Sequence, residues 1–153
     1  MYLTQKESQF LKEFREQEQL CADKYSKYSQ SACSTELKAL FSDLSECEKK
    51  HLKTIDEMSR GTVAPVPAPK PVDLSHCGNA GYADEQSRQN DAFLCRDMLG
   101  TEKHVSSTYD TGVFEFTDPQ ARQMLGHIQH EEQQHGERLY NYMKNNGMYN
   151  QSA

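Results

Sequence analysis

The chain has 153 residues, enough for one domain, with only 35% hydrophobic residues and a mean hydropathy of −0.91. Its 17 basic and 23 acidic residues give a net charge of −6, so it has no basic face to neutralise phosphates and no nucleic-acid partner is expected. No apolar run approaches membrane-spanning length, and the first residues hold no apolar signal region. The expectation is an intracellular protein without a membrane partner.

The first segment, from about Leu3 to Ala32, carries a helical seam: Glu7, Leu11, Phe14, Glu18, Cys21, Tyr25, Tyr28, Ala32. Two positions are wrong for a plain core. Glu7 lies near an end, within reach of water. Glu18 lies in the middle, between Phe14 and Cys21. After a short break, Ser34 or Thr35 suits the cap of a second helix, from about Thr35 to Ser59. Its seam is Leu37, Phe41, Leu44, Glu48, His51, Ile55, Met58, again interrupted midway by charged or polar groups. So short a connection makes the two helices an antiparallel hairpin.

Prolines at 65, 67, 69 and 71 then forbid a helix and favour an extended chain. This linker, about residues 60–85, is long enough to cross the length of a bundle. The third segment, about Asp84 to Phe116, has the seam Asp91, Cys95, Met98, Glu102, Val105, Tyr109, Gly112, Phe116. Thr117-Asp118-Pro119 ends one helix and opens the next, with Asp118 or Thr117 as cap. The fourth segment, about Pro119 to Asn145, has the seam Leu125, Ile128, Glu132, His135, Leu139, Tyr142. Asn145-Asn-Gly147 is a stop signal, followed by a short tail that folds back.

Shifting the chain by 84 residues lays residues 3–59 on 87–143 without a gap. Glu18 falls on Glu102, Tyr25 on Tyr109, Glu48 on Glu132 and His51 on His135. The polar residues that interrupt the seams match, while the helix surfaces differ. A repeat kept only for packing has no reason to match carboxylates. The repeat also separates Glu132 from its neighbour Glu131, whose place in the first half is taken by Cys47. His104, His127 and His130 have no repeat partner and read as surface residues, with His127 within reach of the rim. Asp91 and Asp97 read as end or surface acids.

Glu18, Glu48 with His51, Glu102, and Glu132 with His135 would meet in one layer of the core. Four buried carboxylates repel one another and lose hydration, which two cations relieve better than protons do. One Glu from each of two helices plus Glu-x-x-His from each of the other two is the inventory of di-iron and di-manganese carboxylate bundles. A single Glu-x-x-His more often lies on a solvated face; it is the duplication in a repeated frame that points to metal. Oxygen-rich ligation with one imidazole per ion suits iron or manganese, with zinc able to occupy the site in preparations. Tyr25 and Tyr109, seven residues after Glu18 and Glu102, read either as hydroxyls that orient a ligand carboxylate or donate electrons, or as ordinary core tyrosines. The five cysteines, Cys21, Cys33, Cys47, Cys77 and Cys95, are odd in number and lack Cys-x-x-Cys spacing, which speaks against a four-thiolate site. Cys77 beside His76 reads as an exposed linker thiol.

Asp97-Met-Leu-Gly-Thr-Glu-Lys-His104, Tyr109, His127-Ile-Gln-His-Glu-Glu-Gln-Gln-His-Gly136 and the closing Asn141–Tyr149 string resemble the spore coat protein F (Coat F domain) family, within the ferritin-like superfamily. The resemblance implies a single all-α, ferritin-like four-helix bundle over residues 1–153 and association with the endospore coat. It implies a di-metal site with Glu18, Glu48, His51, Glu102, Glu132 and His135 as ligands. It further implies reaction with dioxygen or hydrogen peroxide as a peroxidase, catalase or ferroxidase. The rubrerythrin electron-transfer domain has no counterpart, so peroxidase turnover would need an external electron donor. Other spore coat proteins and a second copy of the chain are the partners this reading admits. The alternative is a structural coat protein whose metal site only stabilises it.

Overall fold

The computed structural model describes residues 1–149. Four helices follow one another: α1 (Gln5–Ser31), α2 (Thr35–Ser59), α3 (Glu85–Val113) and α4 (Pro119–Asn145), with no strand among the described residues. Their starts are set by side chains that satisfy orphan backbone donors. Thr4 and Glu7 form a reciprocal capping box on α1, Ser34 accepts from the Leu37 amide, Asp84 from Ser87, and Asp118 from Gln120 and Ala121. Of the alternatives in the sequence, Ser34 and Asp118 are therefore the caps. The third helix is shorter than its seam. It stops at Val113, and Phe116 is buried from the turn beyond it.

The fold is a four-helix bundle, with α1 packed along α2 and α3 along α4. Contacts between the hairpins fix their direction. Tyr28 meets Asp97, Gln17 meets Thr108 and Lys6 meets Glu115, so α1 and α3 are antiparallel. His51 meets Glu131 and Asp43 meets Arg138, so α2 and α4 are antiparallel as well. The second and third helices therefore run the same way, and the chain must return the full length of the bundle between them. The irregular linker does this along α4. Gln120 Nε2 donates to the Val63 and Ala64 carbonyls, Gln134 Nε2 to the Lys70 carbonyl, and Asn145 and Asn146 to Cys77 and Gly78.

Two apolar clusters fill the interior, one around Tyr25, Leu37, Phe41, Met98 and Tyr142, the other around Phe14, Ile55, Met58, Leu125 and Ile128. Between them lies a layer of carboxylates and imidazoles. Gly112 is required in this packing, because a Cβ there would run into the Phe14 ring, which stacks on Tyr109 with centroids 4.4 Å apart.

Three sequence expectations about burial are corrected. Glu7 does not reach water: it is fully buried, its Oε1 accepting from the Thr4 amide. Asp91 is no surface acid. It is buried and accepts from the Cys33 and Ser34 amides at 2.8 and 2.9 Å and from the Tyr82 hydroxyl at 2.6 Å, tying the first hairpin's turn to α3. Cys77 is a buried thiol, 2% exposed, while His76 turns to Glu36, so the adjacent pair forms no joint site. For Asp91 the deciding contact comes from a segment remote in sequence. Met148 is buried and Tyr149 packs edge-on against Tyr140, so the tail does fold back.

Candidate metal centre

Each helix delivers its polar residues to the same layer because their spacing follows the helical period. All six, Glu18, Glu48, His51, Glu102, Glu132 and His135, are at most 4% exposed. Ligand atoms of Glu18, Glu48, His51 and Glu132 lie within 4.8 Å of one another, and so do those of Glu48, Glu102, Glu132 and His135. Two four-residue groups therefore overlap in Glu48 and Glu132. Each contains three carboxylates and one imidazole.

Both histidines face the carboxylates with Nδ1. His51 Nδ1 lies 2.8 Å from Glu132 Oε1 and 3.6 Å from both Glu18 Oε2 and Glu48 Oε2. His135 Nδ1 lies 2.6 Å from Glu48 Oε1, 3.3 Å from Glu102 Oε1 and 3.6 Å from Glu132 Oε2. Each histidine thus reaches the glutamate of the opposite pair more closely than its own. The tyrosines cross over in the same way. Tyr25 Oη donates to Glu102 Oε1, and Tyr109 Oη to Glu18 Oε1, both at 2.6 Å. The two halves of the chain are interlocked at this layer rather than merely adjacent. Of the two readings of the tyrosines, this geometry is that of hydroxyls orienting the core carboxylates.

The layer is under electrostatic stress. Burial, then the neighbouring Glu102 and Glu18, push Glu48 up to about 7. Burial and Glu132 push Glu102 up to about 8, and the same two causes raise Glu18. Glu132 goes the other way: burial and Glu48 act to raise it, but hydrogen bonds from Glu102, His135 and His51 hold it below the ordinary carboxylate range. Burial acts against the charged forms of His51 and His135, but the surrounding glutamates outweigh it and raise both well above ordinary histidine. Protons are therefore held where the unfolded chain would release them.

Even so, the residues do not satisfy one another. Among the described residues, Glu18 Oε2, both Glu48 oxygens, Glu102 Oε2 and Glu132 Oε2 are buried without a hydrogen-bond donor. The close approach of His135 Nδ1 to Glu48 Oε1 lacks the alignment of a hydrogen bond. Unpaired buried acceptors are rare in folded proteins, because each forfeits its hydration without return. Oxygens converging from four helices, with an imidazole nitrogen on either side, are a donor set that could hold divalent cations.

Two neighbours also belong to the site, although the repeat sets them aside. Glu131 accepts from His51 Nε2 at 3.0 Å and lies 3.2 Å from His127 Nε2, and the His51 bond holds its carboxyl down at about 2. A carboxylate on Nε2 places the ring proton there and leaves Nδ1 free to face the carboxylate layer. On the other side Cys47 lines the same cavity as His135 and helps to raise it. Cys47 and Glu131 occupy the same position in the repeat, so each backs the histidine of the opposite half. A comparison that keeps only identical residues cannot find them; the signal was their shared place one residue before each core glutamate. His127 is mostly covered and reaches the rim through Glu131, whereas His130 is exposed.

Comparison with known proteins adds one match. No curated protein and no solved structure matches the chain. The model of the Coat F domain family matches residues 90–152, which takes in nearly all of α3, the whole of α4, and therefore Glu102, Glu132 and His135. The resemblance noted in the sequence is borne out over this stretch, where the second hairpin is similar to the Coat F domain.

Proposed function

We propose that the chain is a spore coat-associated carboxylate protein of the ferritin-like type that holds two iron or manganese ions and reacts with hydrogen peroxide or dioxygen. The observation that carries this reading is the pair of overlapping groups sharing Glu48 and Glu132, with five buried carboxylate oxygens left without donors. Glu48 and Glu132, common to both groups, would contribute to holding both ions, with Glu18 and His51 at one position and Glu102 and His135 at the other. The ions would supply Lewis acidity and redox equivalents to a bound peroxide or dioxygen. The chain's own contribution is to hold the ligands. Tyr25 and Tyr109 fix the outer carboxylates by hydrogen bonds, and Glu131 fixes the His51 tautomer. The apolar clusters on either side keep water from the layer, which strengthens the electrostatics within it. An external electron donor would be needed for peroxidase turnover.

Anomalous scattering at the iron and manganese edges from a crystal of the purified protein tests the metal reading directly. Fewer than about one ion per chain, with no change in melting temperature on adding ferrous iron, would overturn it. Peroxide consumption by the loaded protein is then compared with Glu132→Ala. Equal rates would leave a structural coat protein whose bound ions only stabilise the bundle.

A further inference from the structure

The two halves differ in how tightly their helices close over the carboxylate layer. In the first hairpin, Ser45 Oγ on α2 donates to the Ala22 carbonyl on α1 at 2.9 Å, and both residues are buried. The position 84 residues later is Gln129, which donates through Nε2 to the Ser106 carbonyl at 3.2 Å. The same interhelical hydrogen bond is thus made in both halves, by the shortest hydroxyl side chain in one and a long amide in the other. A serine hydroxyl sits on Cβ, whereas a glutamine nitrogen lies three bonds from Cβ, two further out. The first pair of helices is drawn together, and α3 and α4 are held apart.

The gap is a cleft of about 520 Å³ whose inner wall includes Glu102 and Glu132. Their Oε2 atoms are among the buried oxygens without donors. Gly136 leaves room on its α4 wall, since a Cβ there would meet only Leu99, at 3.8 Å. Its repeat partner in the sealed hairpin is Leu52. The cleft carries one lysine, Lys103, against Asp110 and the two glutamates. Two smaller cavities, about 270 and 290 Å³, lie under the proline-rich linker. They end on histidines rather than on the core glutamates; both are lined by Lys50 and Lys70 against Glu131, with Arg138 and Asp73 in the second.

We infer that the α3–α4 cleft is the passage by which a divalent cation reaches the carboxylate layer, and that Gln129 is the spacer that keeps it open. The inference rests on the metal-binding reading above and adds a single-sided route to it. Oxygen-bearing walls suit a hydrated cation, which exchanges water for the carboxylates at the floor. The same route would serve a small oxygen-containing substrate once the ions are in place.

The test is stopped-flow uptake of cobalt(II) by the metal-free full chain, read by the visible absorption of the bound ion, with the final stoichiometry measured separately. Gly136→Leu and Ser106→Leu narrow the cleft from opposite walls, and both introduce a good helix former, so folding is retained. Each is expected to slow uptake at least tenfold with the wild-type stoichiometry. Wild-type rates in either cleft variant would overturn the route while leaving the metal site standing. A lowered stoichiometry at an unchanged rate would also overturn it, making the cleft wall part of the ligand frame. Failure of the wild-type protein to take up cobalt would instead refute the metal reading on which the route depends.

Discussion

On the proposed metal-binding reading, removing the cations should turn the pH dependence of stability upside down. In the metal-free chain Glu48 titrates at about 7 and Glu102 at about 8, against an ordinary 4.5. Between those limits the folded state keeps protons that the unfolded state has released. His51 and His135, raised well above ordinary histidine, act in the same direction at higher pH; Glu132, lowered, opposes them at lower pH. When the folded state binds more protons, stability falls as pH rises. Each retained proton is worth ~1.4 kcal/mol per pH unit, so from pH 5 to pH 7 the two glutamates together should cost the metal-free protein ~5 kcal/mol. For a chain of this size that corresponds to a melting temperature lower by roughly 15 °C. With excess manganese(II) the ions displace those protons, and stability should instead rise with pH over the same range. The assay is thermal or urea unfolding at pH 5, 6 and 7, with a chelator and with manganese. A chelator curve that is flat or rises between pH 5 and 7 would refute the reasoning, because the glutamates would then not be holding protons in the fold.

Four further substitutions probe other parts of the structure. Asp91→Ala strands two backbone amides and the Tyr82 hydroxyl; at ~1–3 kcal/mol for each stranded group that is not rehydrated, a loss of about 3 kcal/mol is expected in urea unfolding, without change in metal stoichiometry. Gly112→Ala drives a methyl group into Phe14 and should cost about 1–3 kcal/mol despite the better helix propensity of alanine, measured in the same way. Cys47→Glu gives His135 the carboxylate partner that His51 already has in Glu131. It should tighten the His135 position by roughly tenfold in a cobalt titration, in keeping with the usual influence of such partners, while Glu131→Gln should weaken the His51 position by a similar factor.

The helices and their caps were legible in the sequence because both are local. Seam spacing follows from the helical period, and a cap side chain reaches a backbone amide only two or three residues away. Asp91 was misread for the opposite reason. An acid near a helix end is ordinarily solvated, and only the turn of another hairpin, arriving from 57 residues away, makes Asp91 an acceptor for buried amides. Glu131 and Cys47 were hidden by the logic that revealed Glu48 and Glu132. A repeat exposes what both halves need in common and conceals what distinguishes them.

The sequence by itself determined the four helices, the crossover between two hairpins and the six residues whose charge breaks an apolar seam. These follow from periodicity and from an 84-residue repeat, which are properties of the chain alone. Only the tertiary structure decided that each tyrosine and histidine serves the opposite half, that Glu48 and Glu132 are shared between two groups, and that the layer is sealed on one side and open on the other. Those are distances between helices. They depend on the length of a side chain such as Ser45 or Gln129 at a crossing point, where a few bonds set how closely two backbones approach.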